Sequence, residues 1–390
     1  MKLLVQPESG IEPLLEALRK AKKSIHILIF RIDRSEIEKA LVDAVARGVS
    51  VKALIAYTNR GGDKNLRRFE MRLLEKGITV ARTADDLVRY HGKMFLIDHK
   101  ELYLLAFNFT HMDINLSRSF AVSTTDEEIV AEAEKLFECD VKRTPYTAGN
   151  SQLVVSPVNA REELVKFIQG AKKQLLMYEM KISDRDFIEL LTEKISQGVD
   201  VRVIGRMAYK GRSLPTRSLP SRLHARVILR DGHSAFLGSQ SLRKLELEAR
   251  REVGIIFHET KLVKEMIDVF DADWKKSEPA ISTDSVADML DVPAKKVAKA
   301  VAKQINMRPV VEQLLDKVME GKGDTPFEPD EVAETVREAF REEVHDAVVH
   351  ALEDLVAASV QTNGNGHEHA NGHEHPNGHG HVPAKAAKKS

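Results

Sequence analysis

Cysteine is nearly absent from this chain: one residue, Cys139, among 390. A single thiol cannot close an intramolecular disulfide, so the fold rests on its core alone, as suits a reducing compartment. Aromatic residues are scarce, at 5% with one tryptophan. That argues against a membrane-inserting aromatic rim and against a base-stacking platform. Net charge is absent as well, with 59 Lys plus Arg against 59 Asp plus Glu. The whole-chain field therefore selects no polyanionic partner, and any such preference must come from local patches. No apolar run reaches the ~18 residues of a membrane span. The opening Met1-Lys2-Leu3-Leu4-Val5 is too short for a signal-peptide core. The expectation is a soluble, cytoplasmic protein.

What is present is a repeat. Ala21-Lys22-Lys23 leads into the apolar run Ser24–Phe30, and Ala171-Lys172-Lys173 leads into Gln174–Met180. Both runs read as buried strands. Each follows an amphipathic helix, Ile11 to Ala21 and Glu162 to Ala171, and each precedes another, Ser35 to Arg47 and Asp184 to Gln197. These second helices stop at Gly48 and Gly198, as helix C-termini often do. Matching strands follow, Val49–Ile55 and Val199–Ile204, at an unchanged offset. Alternating strands and helices imply βαβ units. The fold class expected is α/β: two similar α-β-α halves with mixed, mainly parallel sheets, packed as a pseudo-dimer, plus a C-terminal helical extension. The boundaries expected are 1–148 and 149–278 for the halves, 279–360 for the extension and 361–390 for a disordered tail.

The chemistry falls at one equivalent place in both halves. The first contains His91-Gly92-Lys93 and then Asp98; the second contains His224-Ala225-Arg226 and then Asp231. Each is a histidine, one residue, a cation, four residues and an aspartate. Period-2 geometry sets the imidazole and the cation on one face of a strand. Two facing pairs of this kind suit a phosphodiester. The cations hold its non-bridging oxygens, one imidazole attacks phosphorus, and the other protonates the departing alcohol. One such string is a weak signal; two in equivalent places are a strong one.

Here the chain resembles the phospholipase D superfamily, whose signature is His-x-Lys-x4-Asp in duplicate. The resemblance covers about residues 10 to 275. The family continues with Gly-Ser-x-Asn. In this chain Gly238-Ser239-Gln240-Ser241 keeps Ser239 but not the asparagine, while Leu105-Ala106-Phe107-Asn108 keeps Asn108 but not the Gly-Ser. The family's following glutamate is matched by Glu252, and its first-half counterpart is Ser119. Arg226 replaces the family's lysine, with a larger, planar, bidentate cation.

The resemblance implies an α-β-α sandwich with one active site at the junction of the halves. It implies His91 as nucleophile and His224 as acid and then base. Lys93, Arg226, Asn108 and Ser239 would serve the phosphate, with Glu252 beside them, and Asp98 and Asp231 would orient their motifs. It implies no metal and no cofactor. The activity implied is phosphodiester hydrolysis or transfer through a phosphohistidine, on a phospholipid, by a monomer. A nuclease and a catalytically weakened phosphate-binding relative are the alternatives.

Two outlying segments carry less chemistry. From Val201 to Arg230 there are eight Lys or Arg and no acid, including a loop read over Tyr209–Pro220 that suits phosphate-bearing substrates. An apolar stripe running from Val332 to Leu355 reads as a packing helix. The tail holds six histidines between His367 and His381, a weak chelator at most.

Overall fold

The computed structural model describes residues 1–57, 63–207 and 216–279. The helical extension, the His-rich tail and the first part of the Tyr209–Pro220 loop lie outside the described residues.

The first half runs β1 (Lys2–Gln6), α1 (Glu12–Lys20), β2 (Ser24–Ile29), α2 (Ser35–Ala46), β3 (Ser50–Ile55), α3 (Asp63–Glu75), β4 (Thr79–Arg82), β5 (Arg89–Tyr90), β6 (Met94–Ile97), β7 (Glu101–Leu105), α4 (His111–Asn115), β8 (Ser117–Thr124) and α5 (Glu127–Lys142). The second runs β9 (Leu153–Val155), α6 (Ala160–Gln169), β10 (Gln174–Ile182), α7 (Arg185–Ser196), β11 (Asp200–Met207), β12 (Thr216–Ser218), β13 (Arg222–Leu223), β14 (Arg226–Arg230), β15 (Ser234–Gly238), α8 (Lys244–Glu248), β16 (Arg250–Arg251), β17 (Val253–Phe257), α9 (Thr260–Lys276) and β18 (Glu278–Pro279). Thr216–Ser218, read from its composition as loop, adds a parallel strand to β11.

One sheet has the order β1-β8-β7-β6-β2-β3-β4; the other has the order β18-β12-β11-β10-β14-β15-β17-β9. Between named strands of the same half, parallel pairing is confined to β2-β3-β4 and β10-β11-β12. The strands that follow each motif histidine turn back on themselves instead. β6-β7-β8 and β14-β15-β17 are antiparallel ribbons; the three-residue links from β6 to β7 and from β14 to β15 are too short for a parallel crossover.

All six residues of β2 are buried, because both of its faces are covered, which is why its apolar residues do not alternate with exposed polar ones. Ile25, Ile27 and Ile29 pack with Leu14, Leu18, Ile37 and Leu41 of α1 and α2. Leu28 points the other way, into a core shared with Phe120, Tyr178, Leu237 and Phe270 from both halves. α6 and α7 cover the outer face of the second sheet through Leu164, Phe167, Phe187 and Leu191. The central core thus joins the halves, and each outer core belongs to one. Gly48 and Gly198 both take φ +86°, the left-handed turn in which glycine carries no Cβ penalty.

A buried polar joint crosses the central core. Asp273 of α9 accepts from Arg118 Nε of β8 at 2.7 Å and from the Tyr178 hydroxyl of β10 at 2.7 Å. A carboxylate so placed must be fully satisfied to be tolerated, and here strands from both halves supply the donors.

Candidate active site

Each motif histidine is set in place by the opposite half. β5 runs parallel to β16, with Arg89 opposite Arg250 and Tyr90 opposite Arg251. The next residue, His91, donates its backbone N–H to the Arg251 carbonyl at 2.7 Å. In the same way β13 runs parallel to the start of β8, with Leu223 opposite Arg118, and His224 N–H donates to the Arg118 carbonyl at 3.0 Å. Gly92 allows a close approach: a Cβ there would stand 2.9 Å from both Leu28 Cδ2 and Val253 Cγ2.

The carboxylates behind the imidazoles also cross between halves. His91 Nδ1 lies 2.9 and 3.1 Å from the two oxygens of Glu252, and its Nε2 accepts from Lys93 Nζ at 2.8 Å. With Glu252 ionised and Lys93 protonated, the carboxylate only accepts and the ammonium only donates, which sets the proton on Nδ1 and the lone pair on Nε2. That is the tautomer a nucleophile needs. Phe30 packs edge-on against the ring, with centroids 4.5 Å apart, and Lys93 Nζ lies 5.4 Å from the Phe30 centroid. Burial, then the charges of Lys93, Arg226, Arg89 and Arg250, hold His91 well below its usual range. Burial lifts Glu252 to about 7, aided by Glu246 and opposed by Lys93. Lys93 itself is buried and pushed well down, which Glu252 opposes. An anionic ligand would favour its charged form.

His224 differs. Its Nδ1 stands 3.1 Å from Oδ2 of Asp113 on α4, and Asp113 also pairs with Arg222. Burial takes His224 down to about 4, with Asp113 opposing and Arg222 and Arg226 assisting. Asp113 was not among the residues singled out from the sequence. The position equivalent to Glu252 is Ser119, and its hydroxyl bonds the His224 backbone carbonyl at 2.5 Å rather than the ring. The signal was there: Asp113 and Glu246 occupy equivalent places on α4 and α8. Each accepts the backbone N–H of the residue three positions beyond the preceding strand, Asn108 at 2.8 Å and Ser241 at 2.7 Å.

The remaining motif residues divide. Arg226 reaches the site, and its charge acts on both imidazoles. Its Nε donates to Ser241 Oγ at 3.2 Å, and Glu179 lies opposite it across β10 and β14. Burial raises Glu179 to about 8, with Arg226 opposing. In the first half the corresponding residues are Ile29 and Asn108. The change from lysine to arginine thus comes with a smaller hydroxyl and an added carboxyl that fit a guanidinium. Asn108 donates Nδ2 to Asp113 at 2.8 Å. Its buried Oδ1, like Arg226 Nη1, has no hydrogen-bond partner among the described residues. Ser239 holds the β15–β17 junction: its hydroxyl accepts from Val253 N at 3.1 Å.

Asp98 and Asp231 are not brought to the imidazoles. They stand at the far ends of the motif strands, where each accepts three backbone N–H groups, from Lys22, Lys23 and Ser24 and from Lys172, Lys173 and Gln174. Those bonds depress both carboxyls against burial.

Duplicated halves and two imidazole–cation pairs, each set in place by the opposite half, define the class of phospholipase D-like enzymes. The family model described as "Cardiolipin synthase, PLD-like domain" matches residues 14–141 and again 164–274, and the chain belongs to that phospholipase D-like family. The polyphosphate kinase of Pseudomonas putida is 24% identical over 225 residues, 52% of this chain and 31% of that protein. The chain spans about a third of the length of the curated relatives it matches. Polyphosphate kinase from Porphyromonas gingivalis superposes with a TM-score of 0.62 at 20% identity, over 72% of this chain and 48% of that one. Phosphatidylserine synthase from Haemophilus influenzae Rd KW20 does so with a TM-score of 0.57 at 10% identity, over 77% and 92%. At these identities the two solved structures share the fold. Among the described residues no helix is long and apolar enough to cross a membrane.

Proposed function

We propose that the chain transfers a phosphodiester through a covalent phosphohistidine, with a phospholipid as substrate and water or an alcohol as acceptor. The observation that carries this reading is the His91 arrangement: Nδ1 beside the Glu252 carboxyl and Nε2 beside Lys93 Nζ. Nε2 of His91 attacks phosphorus, and the bond to the leaving oxygen breaks. Lys93, Arg226 and Asn108 surround the non-bridging oxygens, where charge accumulates. His224 delivers a proton to the departing alkoxide, then takes one from the incoming water or alcohol as that oxygen displaces His91. His224 is neutral in the empty site at pH 7, and the anionic substrate is what raises its affinity for a proton. The fold also resembles that of the phosphatidylserine synthase over 92% of that chain.

A second reading is transfer along a phosphoanhydride chain. It is favoured by the three guanidiniums, Arg89, Arg226 and Arg250, that bear on His91, more positive charge than one diester needs.

The test is chelator-resistant turnover of phosphatidylcholine, a cardiolipin precursor, inorganic polyphosphate and single-stranded DNA by wild type, H91A and H224A. With a p-nitrophenyl diester the leaving group needs no proton. H224A should then give a burst of nitrophenolate and trap an acid-labile phosphohistidine, while H91A gives neither. A burst in H91A would refute the assignment of the nucleophile. Preference for polyphosphate would select the second reading, and preference for DNA would make the chain a nuclease.

A further inference from the structure

Away from the active site, three side chains of the first half converge with the donor set of a metal site. His26 lies on β2, His99 in the turn after β6, and Glu134 on α5. One ligand atom from each falls within 4.8 Å of the others. His26 Nδ1 is 3.5 Å from Glu134 Oε1, and His99 Nδ1 meets the same oxygen in a short hydrogen bond.

His26 is the telling residue. It is 7% exposed, and its Nδ1 has no hydrogen-bond partner among the described residues. A buried polar atom left unpaired is destabilising. The ring cannot easily turn away, because it stacks on Phe137 at 5.0 Å and 7° and meets the His99 ring edge-on at 5.3 Å. Burial, then Lys52, holds it below its usual range, with Glu134 and Glu138 opposing and His99 assisting. Lys52 is itself engaged by Glu138 at 2.6 Å. His99 takes φ +58° after Asp98 at +56°, a left-handed pair that turns its ring toward α5.

The repeat supplies an internal control. The equivalent positions of the second half are Leu176, Gly232 and Ile267. None of them can bind a metal, so the repeated fold does not itself require polar groups there.

We propose that His26, His99 and Glu134 bind a Zn²⁺-class divalent ion that ties α5 to β2 and to the β6–β7 turn. Two imidazoles and one carboxylate are the three protein ligands of an open tetrahedral zinc site, and the imidazoles disfavour Ca²⁺ and Mg²⁺. Bonds of about 2.0–2.1 Å give a tetrahedral edge of about 3.4 Å, close to the His26–Glu134 separation. The His99–Glu134 contact opens to that length as the ion replaces its proton.

The experiment is titration of Zn²⁺ into the metal-stripped full chain against a chromophoric chelator, for wild type, H99A and E134Q. His99 is exposed, so its replacement leaves the core intact, and the tail histidines contribute equally to every variant. Wild type should take up one equivalent more than H99A, and E134Q should weaken that equivalent at least about tenfold. Co²⁺ in its place should give the intense visible bands of tetrahedral coordination in wild type and lose them in H99A. Equal stoichiometry with equal Co²⁺ spectra in wild type and H99A would overturn the assignment.

Discussion

Replacing Glu252 with glutamine tests the proposed nucleophile without moving it. The side chain has no exposed surface and glutamine is nearly isosteric, so the change removes charge and little else. Two outcomes bound the loss. If the amide oxygen faces Nδ1, the tautomer survives and a charge-assisted bond becomes a neutral one. That forfeits about 1–2 kcal/mol, or roughly ten- to thirtyfold in rate. If the amide NH2 faces Nδ1, the proton moves to Nε2 and the attacking lone pair is lost, which on the pattern of other histidine-carboxylate pairs costs about 10⁴. The assay is kcat on a p-nitrophenyl diester, with near-UV circular dichroism to confirm the fold. D113N is the control. It acts through His224, so its defect should be small on the aryl ester and large on an alkyl ester, whereas E252Q should be equally impaired on both. An E252Q rate within twofold of wild type would refute the argument that Glu252 sets the nucleophile's tautomer.

Three further outcomes are expected. D98A removes the acceptor of three backbone N–H groups on a half-exposed turn and should cost about 1–2 kcal/mol of stability, read by urea unfolding, while kcat changes less than twofold. R226K should lower kcat about tenfold because Ser241 and Glu179 are fitted to a guanidinium, and R226K/S241N should recover part of the loss, a coupling that a double-mutant cycle measures. Glu179 titrates near 8 when folded and near 4.5 when unfolded. Unfolding therefore releases its proton between those values, and stability falls as pH rises from 6.5 to 8. In E179Q the melting temperature should be flatter over that window, and an unchanged slope would show that Glu179 is ionised in the fold.

The repeat and both motifs were legible because they are local in sequence. A largely apolar strand such as Ser24–Ile29, a glycine such as Gly48 that needs a left-handed turn, and a His-x-cation spacing all act within a few residues. The pairing of His91 with Glu252 spans 161 positions, and only the family resemblance pointed to it. Asp113 stayed hidden because it replaces Ser119 in function from a different element, so matching the halves position by position led to the wrong residue. The antiparallel ribbons were understated for a related reason. Alternating strands and helices dominate the repeated stretch, and hairpins of buried residues such as Met94–Leu105 show no polar alternation. Asp98 and Asp231 sit within the motif yet serve the turn before β2 and β10, a role that spacing alone does not reveal.

A site with true twofold symmetry could not tell the two ester arms of a diester apart; either would fit either way round. Here one imidazole is backed by a glutamate from the second half and the other by an aspartate from a short helix of the first. One cation is an ammonium beside a phenyl ring, the other a guanidinium beside a carboxyl. The two ends of a bound substrate meet unlike walls, so the diester has one productive direction of entry. Gene duplication freed the halves to diverge in this way, which two identical subunits could never do.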